Sequence, residues 1–339
     1  MHNSAIRSVS NSNVAQRQRG VALLTILLMV VTATILAVGL LTREDRLVRE
    51  STILLRQDQA LQYALAGENL LGALLVADIK NNPSTTGFKD LWAQRTPPYP
   101  IEDGVITGNL TDQSGKFNLN NLYHDGQKDQ NAIDYFKRLL TQVGLSSGLA
   151  NAVLDWEDPD DNPTESEGAE NSFYLGQDPS YQAANRPFIE SAELLKVRGF
   201  DAKNYPLIAP YVTALPQYAP ININTASMPV LVALDTSLTP AAANAWIIKR
   251  NAAAKSVAQV SELWNDSGFK SVTPDNQAKV LSLLDVKSSY FQAKIDVNLG
   301  GRDRYLTSDI YRTGQKVYVW RRSLAPIRAD EMQPLQPAS

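Results

Sequence analysis

The sequence predicts an α+β fold, in which one long N-terminal helix packs on a small antiparallel sheet and a large all-α domain is inserted between the strands. Three observations carry this expectation. No proline interrupts positions 21–82, so nothing there breaks a helix. Strand-like runs occur at 105–110 and again at 291–299, 305–311 and 316–320, the last three separated by Gly300-Gly301 and Thr313-Gly314. Between these runs lie about 160 residues rich in alanine and leucine at helical spacing.

The helix comes first in the chain. Residues 1–20 carry Arg7, Arg17 and Arg19 and no acid, a flank that stays cytoplasmic when the adjoining segment enters a bilayer. The 21 residues from Val21 to Leu41 have no charge and would span about 30 Å as a helix, enough to cross a hydrocarbon core. Arg17-Gln18-Arg19-Gly20 abuts this run directly. A cut after Gly20 would therefore leave the apolar segment at the start of the mature chain, an arrangement that resembles the class III leader processed by prepilin peptidase. An uncleaved single-pass anchor is the alternative from these residues alone. Beyond Thr42 the pattern turns amphipathic, with Leu47, Leu54, Leu61 and Leu65 at heptad-like spacing, and Asn81-Asn82-Pro83 supplies a stop. One rod of roughly 90 Å is expected.

The run Val105–Leu110 leads into Asp112–Leu122, where Gly115 marks a turn and the asparagines suit caps and bends. Helical segments are expected near 130–155, 190–213, 226–234, 239–252 and 274–285. The expected organisation is a leader over 1–20, a transmembrane segment over 21–41 and the periplasmic part of the helix over 42–82. An α/β domain comes next, made of 83–124 and 286–324, with the helical insertion over 125–285 and a flexible tail over 325–339.

Two motifs fall inside the insertion. The first is Asp155-Trp156-Glu157-Asp158-Pro159-Asp160-Asp161-Asn162-Pro163, followed by Glu165, Glu167 and Glu170-Asn171. From Leu139 to Asn185 there are nine acids and neither lysine nor arginine. Carboxylates crowded in a turn-rich loop repel one another unless a cation enters, and calcium prefers such oxygen donors. The spacing is not that of an EF-hand loop, and a solvated acidic loop or a helix N-cap is the other reading. The second motif, Ile221-Asn222-Ile223-Asn224-Thr225-Ala226, resembles a helix-hairpin-helix unit, with 257–263 as a candidate second copy. The hairpin glycines that would grip a nucleic-acid backbone are missing. Asp235-Thr236-Ser237-Leu238-Thr239 stands there instead, with Lys249, Arg250 and Lys255 nearby. A packing unit or protein contact is expected, and no nucleic acid.

Composition narrows the classes further. A net charge of −3 provides no overall basic field. With no cysteine there is no disulfide framework. The histidines are His2 and His124, and no nucleophile elbow, P-loop or dinucleotide fingerprint occurs. An enzyme is not expected.

Taken together, Arg19-Gly20-Val21-Ala22-Leu23-Leu24-Thr25, Asp112-Gln113-Ser114-Gly115-Lys116-Phe117-Asn118-Leu119-Asn120-Asn121-Leu122, the acidic loop 155–174 and Ile221–Ala226 resemble the K subfamily of type II secretion minor pseudopilins, the general secretion pathway protein K family. The resemblance implies a type IV pilin-like fold and a subunit at the tip of the pseudopilus, which helps start or cap the filament that exports folded proteins. It implies cleavage between Gly20 and Val21, N-methylation of Val21, and residence in the inner membrane with the C-terminal domain in the periplasm. Implied partners are the I-type and J-type minor pseudopilins, the H type, the major pseudopilin and prepilin peptidase. An unprocessed periplasmic adaptor and a DNA-uptake pseudopilus component are the alternative readings.

Most pilin-like chains carry a glutamate at the fifth mature position, where it can pair with a neighbour's N-terminal ammonium; here Thr25 stands. A subunit at the filament end lacks that neighbour on one side, and a neutral residue avoids an unpaired charge in apolar surroundings. Calcium, one or two ions, is implied in the acidic loop, with Asp158, Asp160 and Glu170 as the leading ligands and Asp161, Asn171 and Asp155 behind them. The family more often has an acid where Asn171 stands, a difference expected to weaken binding.

Overall fold

The computed structural model describes residues 12–165 and 167–326. Part of the expected leader (1–11) and most of the expected tail (327–339) lie outside the described residues. The chain divides into two compact units, Met1–Gln59 and Ala60–Ser339.

In the first unit the described chain is wholly helical, the start of helix α1 (Ser12–Asn81). Every side chain from Val21 to Leu41 is exposed, and this stretch is long and apolar enough to cross a membrane. Its hydroxyls are satisfied within the helix: Thr25 donates to the Ala22 carbonyl at 2.9 Å, Thr32 to Leu28 at 2.9 Å and Thr34 to Val30 at 2.7 Å. No threonine there therefore needs water as a partner.

In the second unit, the later turns of α1 bury Ala60, Ala64, Leu71 and Leu75. These positions share one helical stripe. They pack with a five-stranded antiparallel sheet of strands β1 (Tyr99–Ile101), β2 (Gly104–Asp112), β3 (Tyr290–Leu299), β4 (Arg302–Thr313) and β5 (Lys316–Ser323), ordered β1-β2-β3-β4-β5. Phe291, Ala293, Ile295, Val297 and Leu299 alternate along β3 with residues only half-buried, as a sheet with one covered face requires. Each strand is longer than its apolar signal, and β1 was not expected at all. Pro98 and Pro100 flank and occupy β1, and a proline is tolerated there because β1 is an edge.

Ion pairs fasten α1 to this sheet. Arg312 on β4 donates to Asp78 at 2.8 Å, and also to Thr86 Oγ1 and the Ser288 carbonyl, each at 3.0 Å. Both partners of the Arg312–Asp78 pair are almost wholly buried. Arg322 on β5 grips the buried Glu68 carboxylate with Nε at 2.7 Å and Nη2 at 2.8 Å, and Ser308 Oγ adds a third bond. A neighbouring network continues inward. Asp112 Oδ2 accepts from Thr225 Oγ1 at 2.5 Å and from Ser288 Oγ at 2.6 Å, and Asn222 Nδ2 donates to the Thr86 carbonyl at 2.9 Å.

A larger core lies in the segment between β2 and β3. Helix α2 (Gln130–Gln142) buries Ala132, Ile133, Tyr135, Phe136, Leu139 and Leu140, and α3 (Leu149–Glu157) is buried from Ala150 onward. This core already includes Phe117, Leu119 and Leu122, so packing changes hands earlier than the expected junction at 125. Gly115 is no simple turn: a Cβ there would lie 2.7 Å from Thr225 Oγ1. It lets the 112–116 loop approach the Ile221–Ala226 motif.

Three helical expectations are corrected. The segment expected over 130–155 is two helices, α2 and α3, parted after Gln142 where Gly144 takes a positive φ. Over 190–213 the structure has only short 3₁₀ and α turns, Ser191–Lys196, Tyr205–Ile208 and Ala209–Tyr211, because Pro206 and Pro210 each remove a helical donor. The helix expected over 274–285 stops at Leu281, and Leu284–Asp285 pairs in parallel with Ile221–Asn222.

Because Arg312 is nearly fully buried, Arg312→Ala is expected to cost about 3–5 kcal/mol by stranding Asp78, read as a fall in Tm. Burial opposes ionisation of Glu68, but its bonds from Arg322 and Ser308 outweigh this and hold its pKa below the ordinary 4.5. Its contribution is therefore present above that value and is lost as pH falls through the depressed one. Glu68→Gln should lose less stability than the parent on acidification below that point.

Candidate functional site

The acidic loop begins where α3 ends. Asp158 is the C-cap of α3, and Pro159 comes next, so the chain leaves the helix there. Pro163 and the turns around 165 and 167 bring it back to Glu170. Carboxylate oxygens of Asp158, Asp160 and Glu170 all lie within 4.8 Å of one another. Asp158 and Glu170 are buried and Asp160 is exposed. Neither Glu170 oxygen has a hydrogen-bond partner. Burial, then the charges of Asp155, Asp158, Asp161 and Asp160, push the Glu170 carboxyl up to about 8.

The other expected ligands are placed differently. Asp155 braces the loop, accepting from Thr164 N at 2.9 Å and from Ala169 N at 2.8 Å. Asp161 accepts from Asn171 Nδ2 at 2.6 Å, while Asn171 Oδ1 accepts from Ala183 N at 3.0 Å. The structure therefore brings Asp158, Asp160 and Glu170 together and leaves Asp155, Asp161 and Asn171 in the surrounding frame. Gly168 is needed by that frame, since a Cβ would collide with Asp155 Oδ2 and meet Thr164 N at 2.5 Å. Arg198 holds the same turn, donating to the Gly168 carbonyl at 2.8 Å with its guanidinium over Phe173.

Two neighbours were not singled out by sequence reasoning. Glu157 is buried, its carboxylate oxygens lack hydrogen-bond partners, and burial together with the Asp158 charge pushes it up to about 9. Lys128 reaches in from outside the loop, with Nζ 2.9 Å from Asp158 Oδ2. The buried side of α3 was a signal for Glu157; nothing in the spacing signalled Lys128.

The donor set fits a hard divalent cation. Oxygens on opposite sides of a calcium ion lie about 4.6–5.2 Å apart, against about 4.2 Å for magnesium. The carboxylate oxygens of Asp158, Asp160 and Glu170 are close enough together for one such ion to meet all three.

Elsewhere, Thr25 lies in the exposed apolar stretch with its hydroxyl bonded back to Ala22. Gly20 and Val21 lie inside α1, with no break at the expected cleavage point. In the Ile221–Ala226 motif, Arg250 is buried and donates to the carbonyls of Ile223 and Ala226 at 2.7 and 2.8 Å, and Lys249 pairs with Asp266 at 2.7 Å. His124 packs against Tyr218 in a tilted arrangement, with ring centroids 4.7 Å apart.

A long helix laid on an antiparallel sheet, with an exposed apolar stretch towards its N-terminus, defines a pilin-like subunit. Family profiles described as "Type II secretion system (T2SS), protein K" match residues 115–217 and 221–286. The chain is 34% identical to the type II secretion system protein K of Pseudomonas aeruginosa, covering 87% of this chain and 89% of that protein. It is 32% identical to that of Aeromonas hydrophila, over 91% of this chain and 97% of the relative. Among solved structures it is similar to a chain of the GspK-GspI-GspJ complex from the enterotoxigenic Escherichia coli type 2 secretion system, with a TM-score of 0.72 and 25% identity over 80% of this chain and 97% of that one. The chain belongs to the type II secretion system protein K family, the K-type minor pseudopilins.

Gly168→Ala is expected to lower Tm by several degrees, because Asp155 and Thr164 must separate to admit the methyl group. Thermal unfolding of the variant against the parent checks this.

Proposed function

We propose that this chain works at the tip of the type II secretion pseudopilus, assembled with I-type and J-type minor pseudopilins. Prepilin peptidase would cut after Gly20 and methylate Val21, and the apolar stretch would hold the mature subunit in the inner membrane with the sheet and helical core in the periplasm. The single observation that carries this reading is the continuity of α1. The same helix holds the exposed apolar stretch and supplies the stripe packed under the sheet. The similar E. coli chain comes from a complex whose title names I and J partners. Contacts with the H type and the major pseudopilin belong to the same proposal.

Thr25 supports the tip position. Its hydroxyl is satisfied within its own helix, so it asks for no charged neighbour in the membrane. The role is structural, and the chemistry the chain needs is adhesion between subunits.

The cation belongs to this function as a folding element. Calcium held by Asp158, Asp160 and Glu170 would neutralise carboxylates that burial otherwise destabilises, and would pin a loop with few apolar side chains. A chelator is expected to lower the Tm, in proportion to the stabilisation a bound ion supplies; an unchanged melt in excess chelator contradicts the cation reading.

The experiment that tests assembly is replacement of Gly20 by a bulky residue. Processing, secretion and co-purification with the I-type and J-type subunits should fail together. A variant that still enters the complex and supports secretion contradicts the proposal.

A further inference from the structure

We propose that Lys128 is the built-in counter-cation of the acidic pocket: its ammonium neutralises Asp158 while the pocket holds no divalent ion, and must leave when one binds. The inference rests on the cation reading above and adds to it a competitor carried by the chain itself.

The geometry singles out this lysine. Residues Gln127–Lys128 pair with Tyr123–His124 in a tight antiparallel hairpin immediately before α2. Asp129 then caps α2 through Ala132 N at 3.1 Å. The Lys128 backbone is therefore fixed on both sides while its long side chain crosses to a loop some thirty residues away in sequence. Its Nζ lies 2.9 Å from Asp158 Oδ2 and 3.2 Å from Thr164 Oγ1. Thr164 is itself the residue whose amide holds Asp155. The ammonium thus touches both a candidate ligand and the brace of the loop.

Charge explains why it is there. Between Leu139 and Asn185 the chain provides nine acids and no lysine or arginine. Arg198 approaches from elsewhere, but it is engaged with the Gly168 carbonyl. Asp158 has no exposed side-chain surface, whereas 38% of the Lys128 side chain is exposed. The ammonium therefore has a way out to water that the carboxylate lacks.

A divalent ion and an ammonium on one buried carboxylate would repel each other at close range in a site where water screens poorly. Exchange is favoured over coexistence. The lysine would let the loop close before any ion arrives and would keep the affinity below that of the bare carboxylates.

The test is calorimetric titration of calcium into the detergent-solubilised full chain, comparing the parent with Lys128→Met and Lys128→Arg. The methionine variant should bind calcium about tenfold or more tightly, and the arginine variant close to the parent. In chelator Lys128→Met should melt below the parent, and in saturating calcium the two should melt together. Equal or weaker binding by Lys128→Met would overturn the role of Lys128 while leaving the site intact. Absence of calcium binding in both the parent and Lys128→Met would overturn the cation reading and this inference with it.

Discussion

The interaction on which the rest of the molecule depends is the clamping of one helix to the sheet by buried charge. Glu68 and Asp78 lie on α1, and each is met by an arginine from β5 or β4. The Arg312–Asp78 pair is buried on both sides; such a pair adds little net stability over a well-packed apolar pair, but losing one partner is severe. Its value here is positional. Apolar side chains such as Ala64, Leu71 and Leu75 could slide along a flat sheet face, whereas the two-pronged grip of Arg322 on Glu68 fixes the helix in register. Because Arg312 also bonds Thr86 and the Ser288 carbonyl, and Asn222 reaches Thr86 and Ser288, the place where α1 is fixed is also where the helical core joins the sheet.

The acidic loop is the opposite case. There carboxylates are gathered, Asp155, Glu157, Asp158 and Glu170 among them buried, and their partners are incomplete. Asp155 finds backbone amides and Asp161 finds Asn171; Asp158 has the Lys128 ammonium as an ion-pair partner but, like Glu170 and Glu157, is buried without a hydrogen bond to its carboxylate. A protein tolerates such groups either by keeping them protonated or by admitting a cation. The two arrangements divide the labour of the second unit: arginines secure the helix to the sheet, and a cation is suited to secure the acidic loop of the helical part.

Much of this was legible in the sequence, for identifiable reasons. The uncharged run 21–41, its abutment on Arg19-Gly20 and the proline stop at 83 express a single long helix without ambiguity. The β3–β5 strands announce themselves through strand-like runs separated by Gly300-Gly301 and Thr313-Gly314. Strand β1 was hidden by its own prolines, which a sheet edge forgives. The stretch 190–213 has helical composition but is divided by Pro206 and Pro210. At the acidic loop the residue types pointed to a cation, yet aspartate and asparagine serve equally as ligands or as loop braces. Spacing could not separate Asp158, Asp160 and Glu170 from Asp155, Asp161 and Asn171. Lys128 and the pairs Arg312–Asp78 and Arg322–Glu68 are contacts between distant segments, and no local pattern announces them.

The central claim is that α1, apolar stretch included, persists in the mature protein as the stalk by which the subunit joins its assembly. The measurement that bears on it most directly is the intact mass and N-terminal sequence of the protein extracted from membranes. A chain that begins at Val21, with a methylated amine and the 21–41 segment retained, is the result this account predicts. A chain that still begins at Met1, or one from which residues 21–41 have been removed, would contradict it.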